Sequence, residues 1–80
     1  MFIYAKLLEH DNNKYRYAFG PDKSHLDGIV VVDREIMNNS IVEKYSEDLP
    51  HFAGMRIISV ILHKMIDDGK VPTAFEYANS

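Results

Sequence analysis

The chain reads as an α+β protein: a three- to four-stranded antiparallel meander with one C-terminal helix packed on one face. Three observations predict this. Residues 2–45 break into short runs of β-branched and aromatic residues separated by Asn-, Gly- and Pro-bearing turns. Helical periodicity begins only after Ser46. The segments between these runs are short, so neighbours in sequence become neighbours in space.

The first strand spans about residues 2–9. Ile3, Ala5 and Leu7 fall on one face, and Phe2, Tyr4, Lys6 and Leu8 on the other. Asp11-Asn12-Asn13 supplies a turn, because Asn and Asp tolerate left-handed backbone. The second strand spans 14–19, with Tyr15, Tyr17 and Phe19 opposite Lys14, Arg16 and Ala18. Gly20-Pro21-Asp22 ends it, and a loop runs to Asp27-Gly28, a second turn signal. Ile29-Val30-Val31-Val32 follows within a strand over 28–33. Four β-branched residues in a row read as a central strand, apolar on both faces. Beyond Asn38-Asn39-Ser40, residues 41–45 form an edge strand that Glu43 and Lys44 keep from pairing further.

The spacing predicts a helix over 50–68. Pro50 suits a first helical position, Gly69 a left-handed stop, and Pro72 lies beyond. Gly54, Met55, Ile57, Ile58, Ile61, Leu62, Met65 and Ile66 occupy one half of its circumference, wider than a single sheet contact requires. Gly54, inside that half, costs about 1 kcal/mol of helix propensity, which close approach to the sheet would offset. Val60 sits among the polar residues. The tail, 71–80, adds a short strand or lies across the domain. The open face of the sheet is expected to carry some of Phe2, Tyr4, Leu8 and the tyrosines.

Eighty residues make one domain, 1–80. Such a chain buries only about 60–65% of its unfolded surface, so its core is modest. With no cysteine, disulfides and thiolate zinc sites are excluded. What remains is tight packing, a partner, or a metal held by His and carboxylates. No apolar run approaches the ~18 residues of a membrane span. Met1-Phe2-Ile3-Tyr4-Ala5-Lys6 lacks the basic start of a signal peptide. The expected location is cytoplasmic.

The net charge is −3, unevenly spread. Asp27, Asp33, Glu35, Glu43, Glu47 and Asp48 face only Arg34 and Lys44 within 27–48, whereas the rest of the chain is nearly balanced. This acidic segment reads either as a solvated sheet edge or as a docking face for a basic partner.

No catalytic, cofactor or metal pattern emerges. The four histidines include no i, i+4 pair and no H-E-x-x-H run. Asp33 and Glu35 share a face if their strand continues, which brings a carboxylate pair into view without a pocket around it. Ser24, His25 and Asp27 offer triad chemistry, but near-consecutive loop residues rarely reach triad geometry. The glycines are too widely spaced for a phosphate loop. The Lys14–Phe19 strand alternates bases with aromatics, as some RNA-stacking sheets do, yet here the rings and the charges point to opposite faces.

Ile3-Tyr4-Ala5-Lys6-Leu7, Lys14-Tyr15-Arg16-Tyr17 and Gly28-Ile29-Val30, followed by one C-terminal helix, resemble small uncharacterised bacterial α+β proteins. In size and acidity the chain is also similar to immunity proteins that neutralise toxins. That resemblance implies a non-enzymatic, protein-binding role. The expected contact residues are Asp33, Glu35, Glu43, Glu47 and Asp48, with Tyr4 or Tyr17 as apolar anchor. Two alternatives stand beside it: a self-associating homodimer suggested by Val60 and the wide helix stripe, and a nucleic-acid-binding domain using Lys14–Phe19.

Overall fold

The computed structural model describes residues 2–78. Within them the order is β1 (Phe2–Asp11), β2 (Lys14–Gly20), β3 (Gly28–Asp33), a 3-10 turn (Met37–Asn39), β4 (Ile41–Lys44), α1 (Phe52–Asp67) and β5 (Ala74–Ala78). The α+β class and the antiparallel sheet are as expected, but the sheet has five strands in the order β4-β3-β2-β1-β5. The extra strand comes from the tail; its last two positions, 79 and 80, and Met1 lie outside the described residues.

The first four strands are a plain meander. Asn12, at φ 53°, makes the β1–β2 turn in the left-handed backbone that asparagine tolerates. The register places Ala5 opposite Phe19 and Leu7 opposite Tyr17, with a bulge between Leu7 and Glu9. Tyr17 then faces Val30, and Tyr15 faces Val32. β5 returns to the far side of β1, setting Phe75 opposite Ala5 and Tyr77 opposite Ile3. Every pairing is antiparallel, so β4 and β5 run the same way at opposite edges. Parallel strands need a long crossover, and α1 supplies it across one face of the sheet.

That face is the core. Ile3, Ala5, Tyr17, Phe19, Val30 and Val32 meet Ala53, Ile57, Ile58, Ile61 and Met65, with Phe75 and Tyr77 packed at the margin. Tyr15 and Tyr17 belong here rather than on the open face. The alternation of β2 fixed which residues travel together, and the pairing of Phe19 with Ala5 and of Tyr17 with Leu7 decided the side. Tyr17 is fully buried and donates its hydroxyl proton to the Pro72 carbonyl at 2.6 Å, which ties the tail to the sheet. Burial also pushes that phenol above its ordinary pKa.

The helix is shorter than expected at its start. His51 is its N-cap, so Pro50 lies just before the helix and not at its first position, and Ala53 N–H donates to the Pro50 carbonyl at 3.0 Å. It stops as expected: Asp68 caps it and Gly69 follows at φ +64°. At Gly54 the helix approaches the sheet closely. A Cβ there would sit 2.7 Å and 2.9 Å from the two methyls of Val42. Gly28 begins β3, at the boundary expected, and its missing side chain leaves room for the Phe19 ring.

Candidate functional site

The β2–β3 loop (21–27) and the β4–α1 loop (45–51) meet at one end of the sheet, because β3 and β4 are antiparallel neighbours. Asp27 joins them. Its Oδ1 accepts the Ser46 hydroxyl at 2.6 Å, and its Oδ2 accepts the Glu47 backbone N–H at 3.1 Å. Ser46 is itself buried, so the junction is a fixed one. These donors, led by the Ser46 hydroxyl, hold the Asp27 carboxyl below its ordinary pKa. Asp22 is held low in the same way by the hydroxyl and the backbone N–H of Ser24, both at 2.7 Å.

His25 completes the corner. Its N–H donates to the Asp22 carbonyl at 3.0 Å, closing the loop over Gly20. Its Nε2 lies 3.5 Å from Asp27 Oδ2 and 3.2 Å from Asp48 Oδ2. The three groups offer ligand atoms within 4.8 Å of one another. One imidazole and two carboxylates at this spacing accommodate either a divalent cation or a protonated histidine bridging two aspartates. Beside them Tyr45 stacks on His51, with centroids 4.7 Å apart, and remains half-exposed. The corner therefore presents Asp22, Asp27, Glu47 and Asp48 next to an exposed aromatic pair.

The expected contact residues do not form one surface. Glu47 and Asp48 lie at this corner. Asp33 and Glu35 are at the opposite end of the sheet, since β3 runs between the two ends. Asp33 is buried, and its Oδ1 accepts the N–H groups of Glu35 at 3.0 Å and Ile36 at 2.8 Å, so it caps a turn and is no contact residue. β3 stops at Asp33, which separates it from Glu35 and dissolves the carboxylate pair; Glu35 accepts from Asn13 Nδ2 instead. Glu43 pairs with Arg16 on the open face. Tyr17 is in the core and cannot anchor a partner. Tyr4 is half-buried on the open face, where its hydrogen bond to Glu76 raises its pKa. Val60 is half-buried on the helix.

Ser24, His25 and Asp27 do come close, but the Ser24 hydroxyl donates to Asp22 and not to His25. An open depression beside β1 and β5 is lined by Tyr4, Lys6, Phe75 and Glu76, together with Lys23 and Leu26 of the 21–27 loop. Sequence reasoning did not single out Asp22, Tyr45 or His51, and it did not count Asp27 among the expected contact residues. Asp27 carried a signal, being the first acid of the acidic segment; the Tyr45–His51 stack carried none. Among the described residues no helix is long and apolar enough to cross a membrane. No protein-family model, curated protein or solved structure matches the chain.

Proposed function

We propose that the protein is a non-enzymatic protein-interaction module that takes a basic partner at the corner formed by the 21–27 and 45–51 loops. The observation that carries this is the convergence of Asp22, Asp27, Glu47 and Asp48 from two loops onto one exposed corner beside the Tyr45–His51 stack. Clustered carboxylates raise the local encounter rate with a cation-rich surface, and a half-exposed aromatic gives such an encounter an apolar centre to lock onto. Asp27 is spent on holding the loops together. Glu47 and Asp48 remain the outward charges, and Tyr45 takes the anchoring place first assigned to Tyr4 or Tyr17. An immunity- or antitoxin-type role is the biological form this reading favours, because such proteins neutralise a basic surface by covering it with an acidic one.

A nucleic-acid role for Lys14–Phe19 has less support. Tyr15, Tyr17 and Phe19 are buried under α1, so the strand offers no rings for bases to stack on.

The test is affinity purification with the wild-type chain and with the double variant Glu47→Lys/Asp48→Lys, at low and at high salt. The expected result is a stoichiometric basic protein retained by the wild type at low salt, released at high salt, and lost with the variant. Retention of the same partner by the charge-reversed variant, with unchanged salt dependence, would remove the acidic corner from the account.

A further inference from the structure

One imidazole nitrogen and two carboxylate oxygens converge where the 21–27 and 45–51 loops meet. His25 Nε2 lies 3.2 Å from Asp48 Oδ2 and 3.5 Å from Asp27 Oδ2, and the three ligand atoms lie within 4.8 Å of one another. A proton alone accounts poorly for this geometry. Nε2 of an imidazolium carries one N–H, which points at one acceptor, and a charge-assisted N–H···O⁻ bond closes to about 2.7–2.9 Å. Both separations are longer than that, and they are nearly equal. They match a coordination edge instead. Ligand atoms about 2.0–2.2 Å from a tetrahedral zinc ion stand about 3.3–3.5 Å from each other.

The two loops hold two of the three groups in place before any ion arrives. The His25 backbone N–H is bonded to the Asp22 carbonyl. The Asp27 side chain is only 19% exposed; its Oδ1 accepts the Ser46 hydroxyl and its Oδ2 the Glu47 N–H. Those donors keep the carboxyl ionised, as a metal ligand must be. They also stand where outer hydrogen bonds orient a metal-bound carboxylate. A carboxylate oxygen has two lone pairs, so Oδ2 can accept the N–H and still face an ion. Asp48, the exposed third group, closes the set by turning its own side chain.

We infer that His25, Asp27 and Asp48 form a three-ligand site for a divalent transition-metal cation of the zinc class, with water completing the coordination. The imidazole argues for zinc over magnesium or calcium, which take oxygen ligands. Asp22 and Glu47, the other acids of the corner, add to the local attraction for a cation. The bound ion would offset two of the four carboxylate charges there and so weaken the hold of the corner on a basic partner. That consequence rests on the interaction reading above; the metal site itself does not.

The test takes the untagged full chain alone, stripped of metal, and titrates it with Zn²⁺ by calorimetry and by nitrogen NMR of the imidazole rings. The expected result is one ion per chain, with the first equivalent shifting His25 Nε2 ahead of His10, His51 and His63. His25→Ala and Asp48→Asn, both at exposed positions, each weaken binding at least ~10-fold while the melting temperature of the metal-free chain stays near wild type. Glu47→Gln, at the same corner, and His63→Ala, on the helix, bind as the wild type does. Mg²⁺ at the same concentration leaves the His25 ring unshifted. The inference is overturned by no saturable Zn²⁺ binding below about 1 mM, or by a first shift at another histidine. It is also overturned if Glu47→Gln loses as much affinity as Asp48→Asn, since the corner would then only be gathering cations diffusely. No partner is present in this titration, so its failure leaves the interaction reading standing, and a failed partner capture leaves the metal site standing.

Discussion

At the scale of the residue, Asp27 shows how one carboxylate does structural work that its neighbours do not. Four acids stand at the corner, yet only Asp27 is bonded to both a buried hydroxyl and a backbone N–H of the facing loop. Those bonds favour the ionised form, so its pKa in the folded chain lies below the ordinary value of 3.8. The sign follows from linkage. A depressed carboxyl contributes stability above the pKa of the unfolded chain and loses it as pH falls through the folded value. Asp22 acts in the same direction. We therefore expect Asp27→Asn to melt below wild type near neutral pH, with the gap narrowing below about pH 4. Thermal melts of both proteins between neutral and acid pH check this; a gap that stayed constant into acid would show that the charge contributes nothing. Asp27 was legible in the sequence as part of an acidic run. That it fastens two loops was not, because Ser46 and Glu47 are far from it along the chain.

At the scale of the element, Gly54 lets α1 approach β4 closely. Gly54→Ala gains about 1 kcal/mol of helix propensity. The new methyl would meet both methyls of Val42, and inserting a methylene into a closed contact costs about 1–3 kcal/mol. Val42 is β-branched and stiff about its first torsion, so it yields by moving β4 rather than by changing rotamer. The expected net effect is a loss of about 1 kcal/mol, read from urea denaturation midpoints. An unchanged or raised midpoint would mean that helix and sheet do not touch at this point. Boundaries at this scale were readable where chain chemistry sets them. Gly69 ends α1, and Asn12 turns the hairpin, because each takes up left-handed backbone. The start of α1 lies two residues later than expected. The Ser46 hydroxyl is committed to Asp27, and the chain makes a turn through 47–50 before the helix begins.

At the scale of the whole molecule, β5 closes what the meander leaves open. It covers the edge of β1, sets Phe75 and Tyr77 against the core, and receives the Leu7 N–H on the Thr73 carbonyl at 2.8 Å. The Tyr17 hydroxyl holds the same segment from inside the core. A chain truncated after Gly69 would expose the β1 edge and orphan that hydroxyl. We expect it to lose most of its stability, which for a domain of this kind is about 5–15 kcal/mol in total, and to aggregate through the bare edge. Denaturant unfolding of the truncated chain measures this, and a cooperative transition at the wild-type midpoint would refute it. By itself the sequence determined which residues share a face, where turns and the helix stop fall, and that strands precede a helix. Those features depend on the period of the backbone and on local conformational preference. Only the tertiary structure decided which face of β2 goes inward, that the tail becomes a fifth strand beside β1, and which acids of a continuous run meet at one corner. Each of these depends on contacts between segments distant along the chain, and local preference carries no record of such contacts.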